Sequence, residues 1–188
     1  MNILPIVAYG DPVLRQKAKP ITADYFGLNE LIETMFATMY KAGGVGLAAP
    51  QIGKSIRLFI VDAAPFADEE PELEHFQKVF INAELLDEAG KPFAFNEGCL
   101  SIPGIREDVS RMPNIILKYQ DANFEEHKEG FSGLAARIIQ HEYDHIEGIL
   151  FTDHLGPLKK KFLQKRLDKI RKGEVSTDYK MKFPAFKR

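Results

Sequence analysis

The chain has 188 residues, 45% hydrophobic and 28% charged, the balance of one ordinary globular domain with a core of its own, which excludes a fibrous or low-complexity chain. Its single cysteine, Cys99, excludes an internal disulfide, and no apolar run approaches the length of a bilayer span. The net charge of −2 conceals an asymmetry: residues 1–158 carry 13 Lys/Arg against 24 Asp/Glu, whereas residues 159–188 carry 12 against 3.

In chain order, the opening MNILPIVAYGDPVLR lacks a basic start followed by a long apolar stretch, so a cytoplasmic protein is expected. Leu28, Leu31, Ile32, Met35, Phe36 and Met39 recur at three- and four-residue steps and predict a helix over 28–42 that stops at Gly43-Gly44. GVGLAA (44–49) has the form of a dinucleotide fingerprint, but a helix rather than a strand precedes it, and Pro50 and Gly53 discourage a long helix after it. A glycine-rich turn ending at Gln51 is the better reading. IRLFIVDA (56–63) and KVFINA (78–83) predict strands, with NIILKYQDA (114–122) another. The acidic stretch between the first two (64–75) reads as a solvated loop. Helical spacing returns over 131–147 and 157–172, before a polar, basic tail. The expectation is an α+β fold: antiparallel or mixed sheets around a central helix, plus a C-terminal helix, with residues 1–172 as one domain and 173–188 as the tail.

QHEYDH (140–145) contains His-Glu-x-x-His on a helical segment. Residues four apart share a helix face, so His141 and His145 can direct imidazoles at one metal ion, with Glu142 near a water bound to it. The same histidines lie on a stripe with Leu134 and Ile138, and two satisfied core histidines fit that pattern equally well. A hydrolytic site needs a third protein ligand. The supplements of the usual zinc endopeptidase, a downstream Glu or a third His, are not well met. Upstream, EGCLS (97–101) holds the lone cysteine; such a residue is more often a small buried hydrophobe, but two histidines here lack a partner.

GVGLAAPQ (44–51), EGCLS (97–101) and QHEYDH (140–145) together resemble the three signature motifs of the bacterial peptide deformylases, in the same order and with comparable spacing. PIVAYGDPVLR is similar to that family's opening, so the resemblance spans about residues 4–155, leaving the acidic loop and the basic tail outside it.

The resemblance implies that Cys99, His141 and His145 hold one divalent metal ion, commonly Fe2+, with Zn2+, Ni2+ or Co2+ also suited to the donors. Glu142 would be the acid/base for water activated on the metal. The Gln51 amide and the Leu100 backbone N–H would face the oxyanion. Val45, Gly46, Phe95, Leu134 and Ile138 would receive the methionine of an N-formyl-methionyl nascent peptide. Gly44 and Gly46 are expected to clear space for the substrate backbone. Glu97 and Asp144 are plausible supports for a ligand imidazole or for Gln51, and His75, His127 and His154 carry ordinary surface or packing roles. The basic segment 157–188 is expected to contact ribosomal RNA, and no membrane partner is implied. The rival readings are a zinc endopeptidase and a ribosome- or RNA-binding module with a structural metal.

Overall fold

In the computed structural model, which describes residues 2–185, the chain begins with strand β1 (Ile6–Val7) and reaches its first helix, α1 (Leu28–Lys41). Leu28, Leu31, Ile32, Met35 and Met39 are buried on one face of α1, as their spacing demands. The helix ends where Gly43 adopts a left-handed φ of 68°, a conformation that costs glycine nothing. A short strand β2 (Gly46–Ala48) follows, then a single 3-10 turn over Ala49–Ile52. This order, helix before the glycines and a turn after them, rules out the dinucleotide geometry.

The main sheet has the order β2-β3-β4-β7-β8 and is antiparallel throughout, with β3 at Leu58–Asp62, β4 at Gln77–Ala89, β7 at Asn114–Gln120 and β8 at Glu126–Ser132. Between β4 and β7 the chain forms a separate antiparallel hairpin of β5 (Phe93–Cys99) and β6 (Ile102–Arg111). Helix α2 (Gly133–Ile146) packs on the main sheet, and Phe59, Phe80, Ile115, Leu117, Phe131, Ala136 and Ile139 form the core between them. Helix α3 (Pro157–Arg171) then buries Leu163, Leu167 and Ile170. The architecture is α+β, as the order of elements predicts.

Several boundaries differ from the sequence-based expectation. Strand β4 runs six residues beyond Ala83 through two register irregularities that let it twist. The β5–β6 hairpin and β8 lie outside the predicted strands, because their polar residues alternate with few large apolar ones; along Phe93–Glu97 only Glu97 is fully buried. Helical spacing was expected from 131, but Phe131 and Ser132 end β8 and the helix starts at Gly133. The helical spacing over 157–172 does form α3, but not all of its apolar residues are buried: Leu158 and Phe162 are 66% and 72% exposed.

The tail is packed as far as it is described. Strand β9 (Met181–Lys182) lies parallel to β1, pairing Met181 with Ile6 and Lys182 with Val7. The last three residues of the tail fall outside the described range. No helix among the described residues is long and apolar enough to cross a membrane.

Candidate metal centre

Helix α2 presents His141 and His145 one turn apart, with ring centroids 5.2 Å from each other. Cys99 reaches them from the end of β5, where the pairing with β6 slips between Gly98 and Cys99. Its Sγ lies 3.3 Å from His145 Nε2. One ligand atom from each of Cys99, His141 and His145 lies within 4.8 Å of the other two, close enough for one ion to touch all three. A second group, Asp121, Glu125 and His127, has similar spacing, but the Asp121 carboxylate already accepts from the backbone N–H groups of Asn123 and Glu125 and faces His127.

Glu142 is buried between these ligands and β2. A Cβ on Gly46 would run into the Glu142 carboxylate, so this glycine makes room for the acid itself. A Cβ on Gly44 would meet Leu100 Cδ1 at 2.7 Å. Both glycines border the cavity, yet the close approach that requires them comes from the protein's own side chains.

Charge is arranged around the three ligands. Burial alone would raise the Cys99 thiol, but the imidazoles of His145 and His141 bring it down to about 5, which favours the thiolate. Burial pushes Glu142 the other way, up to about 7. Glu142 Oε2 and His145 Nδ1 are buried without a hydrogen-bond partner among the described residues. One thiolate and two imidazoles, with a carboxylate beside them that no protein group satisfies, fit a divalent cation and a polar ligand.

Glu97 organises the other side. His141 Nδ1 lies 3.0 Å from Glu97 Oε2, an arrangement that leaves His141 Nε2 for a cation. Arg111 grips the same carboxylate with Nε and a terminal nitrogen at 2.7 and 3.0 Å, and Arg137 adds a third contact at 3.0 Å. Arg111 continues to Asp144 at 2.8 Å, which His154 Nε2 approaches at 2.7 Å. The expected support from Glu97 goes to His141, while Asp144 faces inward onto Arg111 and His154 has a specific partner. Arg111 and Arg137 were not singled out by sequence. Arg137 stands four residues before His141, so its place on the same helix face was legible, but Arg111 sits in a hairpin that no motif marks.

The Gln51 amide is locked by its neighbours. Its Oε1 accepts from the Ala48 backbone N–H at 2.8 Å, which turns Nε2 toward Cys99 Sγ and Ser101 Oγ, each at 3.5 Å. These groups open on a cavity of about 800 Å3 lined in part by Val45, Gly46, Phe95, Leu100 and Ile138. Phe66, from the acidic loop, lines it as well. Leu134 does not: it lies in the core under the sheet, and the α2 positions that reach the cavity are Arg137, Ile138, His141 and Glu142.

A family model for polypeptide deformylases matches residues 3–161. The chain belongs to the polypeptide deformylase family. A peptide deformylase of Christiangramia forsetii is 57% identical over 99% of this chain and 98% of its own length, and one of Flavobacterium psychrophilum is 55% identical over 99% and 100%. Among solved structures, the peptide deformylase of Legionella pneumophila superposes with a TM-score of 0.80 at 39% identity, covering 92% of this chain and 98% of that one. The Thermotoga maritima deformylase gives 0.75 at 39% identity, over 84% and 100%. Within a deformylase scaffold, Cys99 beside the two histidines stands where an endopeptidase would supply His or Glu, and the endopeptidase reading is not favoured.

Proposed function

We propose that this chain hydrolyses the formyl amide at the N-terminal methionine of newly made polypeptides, releasing formate. The observation that carries this reading is the meeting of Cys99, His141 and His145 beside a cavity that Cys99, His141 and Glu142 line, with Glu142 Oε2 buried and unpartnered among the described residues. Cys99, His141 and His145 would hold a divalent cation, which when bound supplies Lewis acidity toward water and the formyl oxygen. The donors suit iron, zinc, nickel and cobalt alike, and the family resemblance favours Fe2+.

Glu142 takes the proton from the attacking water and returns it to the leaving amine, a task that its buried position and raised pKa suit. Gln51 Nε2 and the Leu100 backbone N–H face the oxygen that gains charge in the tetrahedral intermediate; one such donor is worth ~3 kcal/mol of barrier. Glu97 fixes the His141 ring, and Arg111 and Arg137 hold Glu97. Val45, Phe95, Ile138 and Phe66 offer an apolar pocket suited to a flexible, unbranched thioether.

The reading extends to place and partners. Residues 1–172 act as the catalytic domain in the cytoplasm, where formylated chains emerge, and the basic face of α3 meets ribosomal RNA through phosphates.

A direct test compares a formyl-methionyl tripeptide with its acetylated counterpart, using metal-loaded protein. Formate release from the first, with its peptide bonds intact and the second untouched, is expected. Cleavage of a peptide bond would make the chain an endopeptidase, and no reaction would leave it a binding module.

A further inference from the structure

The segment after α3 turns back across the molecule and enters the cavity described above. Ser176, Thr177, Asp178 and Tyr179 line it together with Gly44, Cys99 and Leu100. Its anchorage is specific. Tyr179 Oη donates to the Leu100 carbonyl at 2.8 Å, and Thr177 Oγ1 donates to the Tyr179 carbonyl at 2.7 Å. Immediately beyond, the Ile6 and Ala8 N–H groups donate to the carbonyls of Lys180 and Lys182 at 2.9 and 2.8 Å. The same β1 region holds the neighbouring carbonyl of Ser101 through the Tyr9 N–H at 2.8 Å. Residues 176–179 lie beyond the 3–161 range matched by the family model.

We propose that the return segment Ser176–Tyr179 is a wall of the substrate groove, and that Tyr179 is a positioning residue for the Leu100 backbone. This rests on the deformylase reading. With the formyl group at the metal centre, the rest of the polypeptide must leave through the mouth of the cavity, where Ser176 and Asp178 are exposed. A wall there touches residues downstream of methionine and nothing in a lone formyl-methionine. Tyr179 acts one peptide away from the Leu100 N–H: with the carbonyls of Leu100 and Ser101 both held, the orientations open to that N–H narrow, and a donor aimed in advance costs no reorganisation during reaction.

Two variants separate the parts, each assayed with formyl-methionine amide and with a formyl-methionyl tripeptide. Tyr179→Phe removes only the hydroxyl and is expected to lower kcat about tenfold on both substrates, a fraction of what losing a whole oxyanion donor costs, with KM, metal content and Tm unchanged. Ser176→Phe narrows the mouth and is expected to raise KM for the tripeptide about fivefold or more, the effect of one misplaced apolar contact, with KM for the amide unchanged. A wild-type kcat in Tyr179→Phe, or a kcat that falls only in step with metal or Tm, overturns the positioning role. Equal KM changes on both substrates, or none, overturn the wall. Absence of formate release by the unaltered protein would instead defeat the deformylase reading.

Discussion

On the proposed metal centre, removing Cys99 takes away one of three ligand atoms and the negative charge among them, whereas removing Glu142 leaves all three in place. Cys99→Ala is therefore expected to lose the metal, and Glu142→Ala to keep it while turnover falls ~10²- to 10⁴-fold, the usual worth of a positioned acid/base. Metal analysis and formate release on the two purified variants check this; stoichiometric metal in the cysteine variant would remove Cys99 from the ligand set. The distinction depends on residues that sequence spacing brings to light. His141, Glu142 and His145 are helical neighbours, so their convergence is local. Arg111 was not legible in the same way, because its carboxylates arrive from β5 and α2, distant in sequence and joined only when the hairpin packs on the helix.

At the scale of elements, the acidic loop does more than face solvent. Both carboxylate oxygens of Glu70 accept from the Leu134 N–H, at 3.0 and 3.1 Å, at the start of α2, where Ser132 gives no side-chain cap. The loop thus supplies the missing cap and a favourable charge at the positive end of the helix. Glu70→Ala is expected to cost ~1 kcal/mol of stability, the usual worth of a cap. Gly133→Ala should cost more, since Gly133 has φ 57° and a Cβ there would strike Glu70. Urea unfolding of both variants measures the difference; unchanged midpoints would make Glu70 a surface residue after all. Its role was hidden in sequence because the cap comes from 64 residues upstream, in a stretch whose five acids look alike.

For the whole molecule, two buried carboxylates tie stability to pH. Burial alone would raise Glu97, but hydrogen bonds from His141 and Arg111 hold it well below its ordinary 4.5. Burial likewise opposes the lowering of Asp144 from 3.8, and His154 and Arg111 overcome it. Because the unfolded chain takes up these protons first, the stability they supply is complete above about pH 5 and is lost as pH falls below the ordinary carboxylate values. The urea midpoint should drop steeply below about pH 5; Glu97→Gln should begin lower and lose less on acidification. A midpoint equally steep in both proteins would exclude Glu97 as a cause. The charge asymmetry belongs to this scale too. Lys159 pairs with Glu107, Lys160 donates to the Asp153 carbonyl and Arg166 to that of Gly104, so those residues serve the fold. Among the described residues, Lys161, Lys165, Lys169 and Lys172 make no such contact and are exposed on α3 and just past its end. Changing these four to Gln is expected to abolish co-sedimentation with ribosomes at low salt, and moderate salt to do the same to the unaltered protein. Equal sedimentation of both would defeat the ribosome contact without touching the chemistry.

The amino-acid sequence by itself determined what depends on near neighbours: the three helices, whose apolar residues repeat at the helical period, and the face of α2 that carries His141, Glu142 and His145. Three short motifs in order were enough to place the chain in its family and to bring in Cys99 and Gln51. Tertiary structure alone decided the rest, because the remaining contacts join segments that share no periodicity. It set Gly46 against Glu142, Arg111 between Glu97 and Asp144, and Glu70 at the head of α2. It also folded a basic tail back along β1, so that Tyr179 meets the carbonyl of Leu100, 79 residues away in sequence.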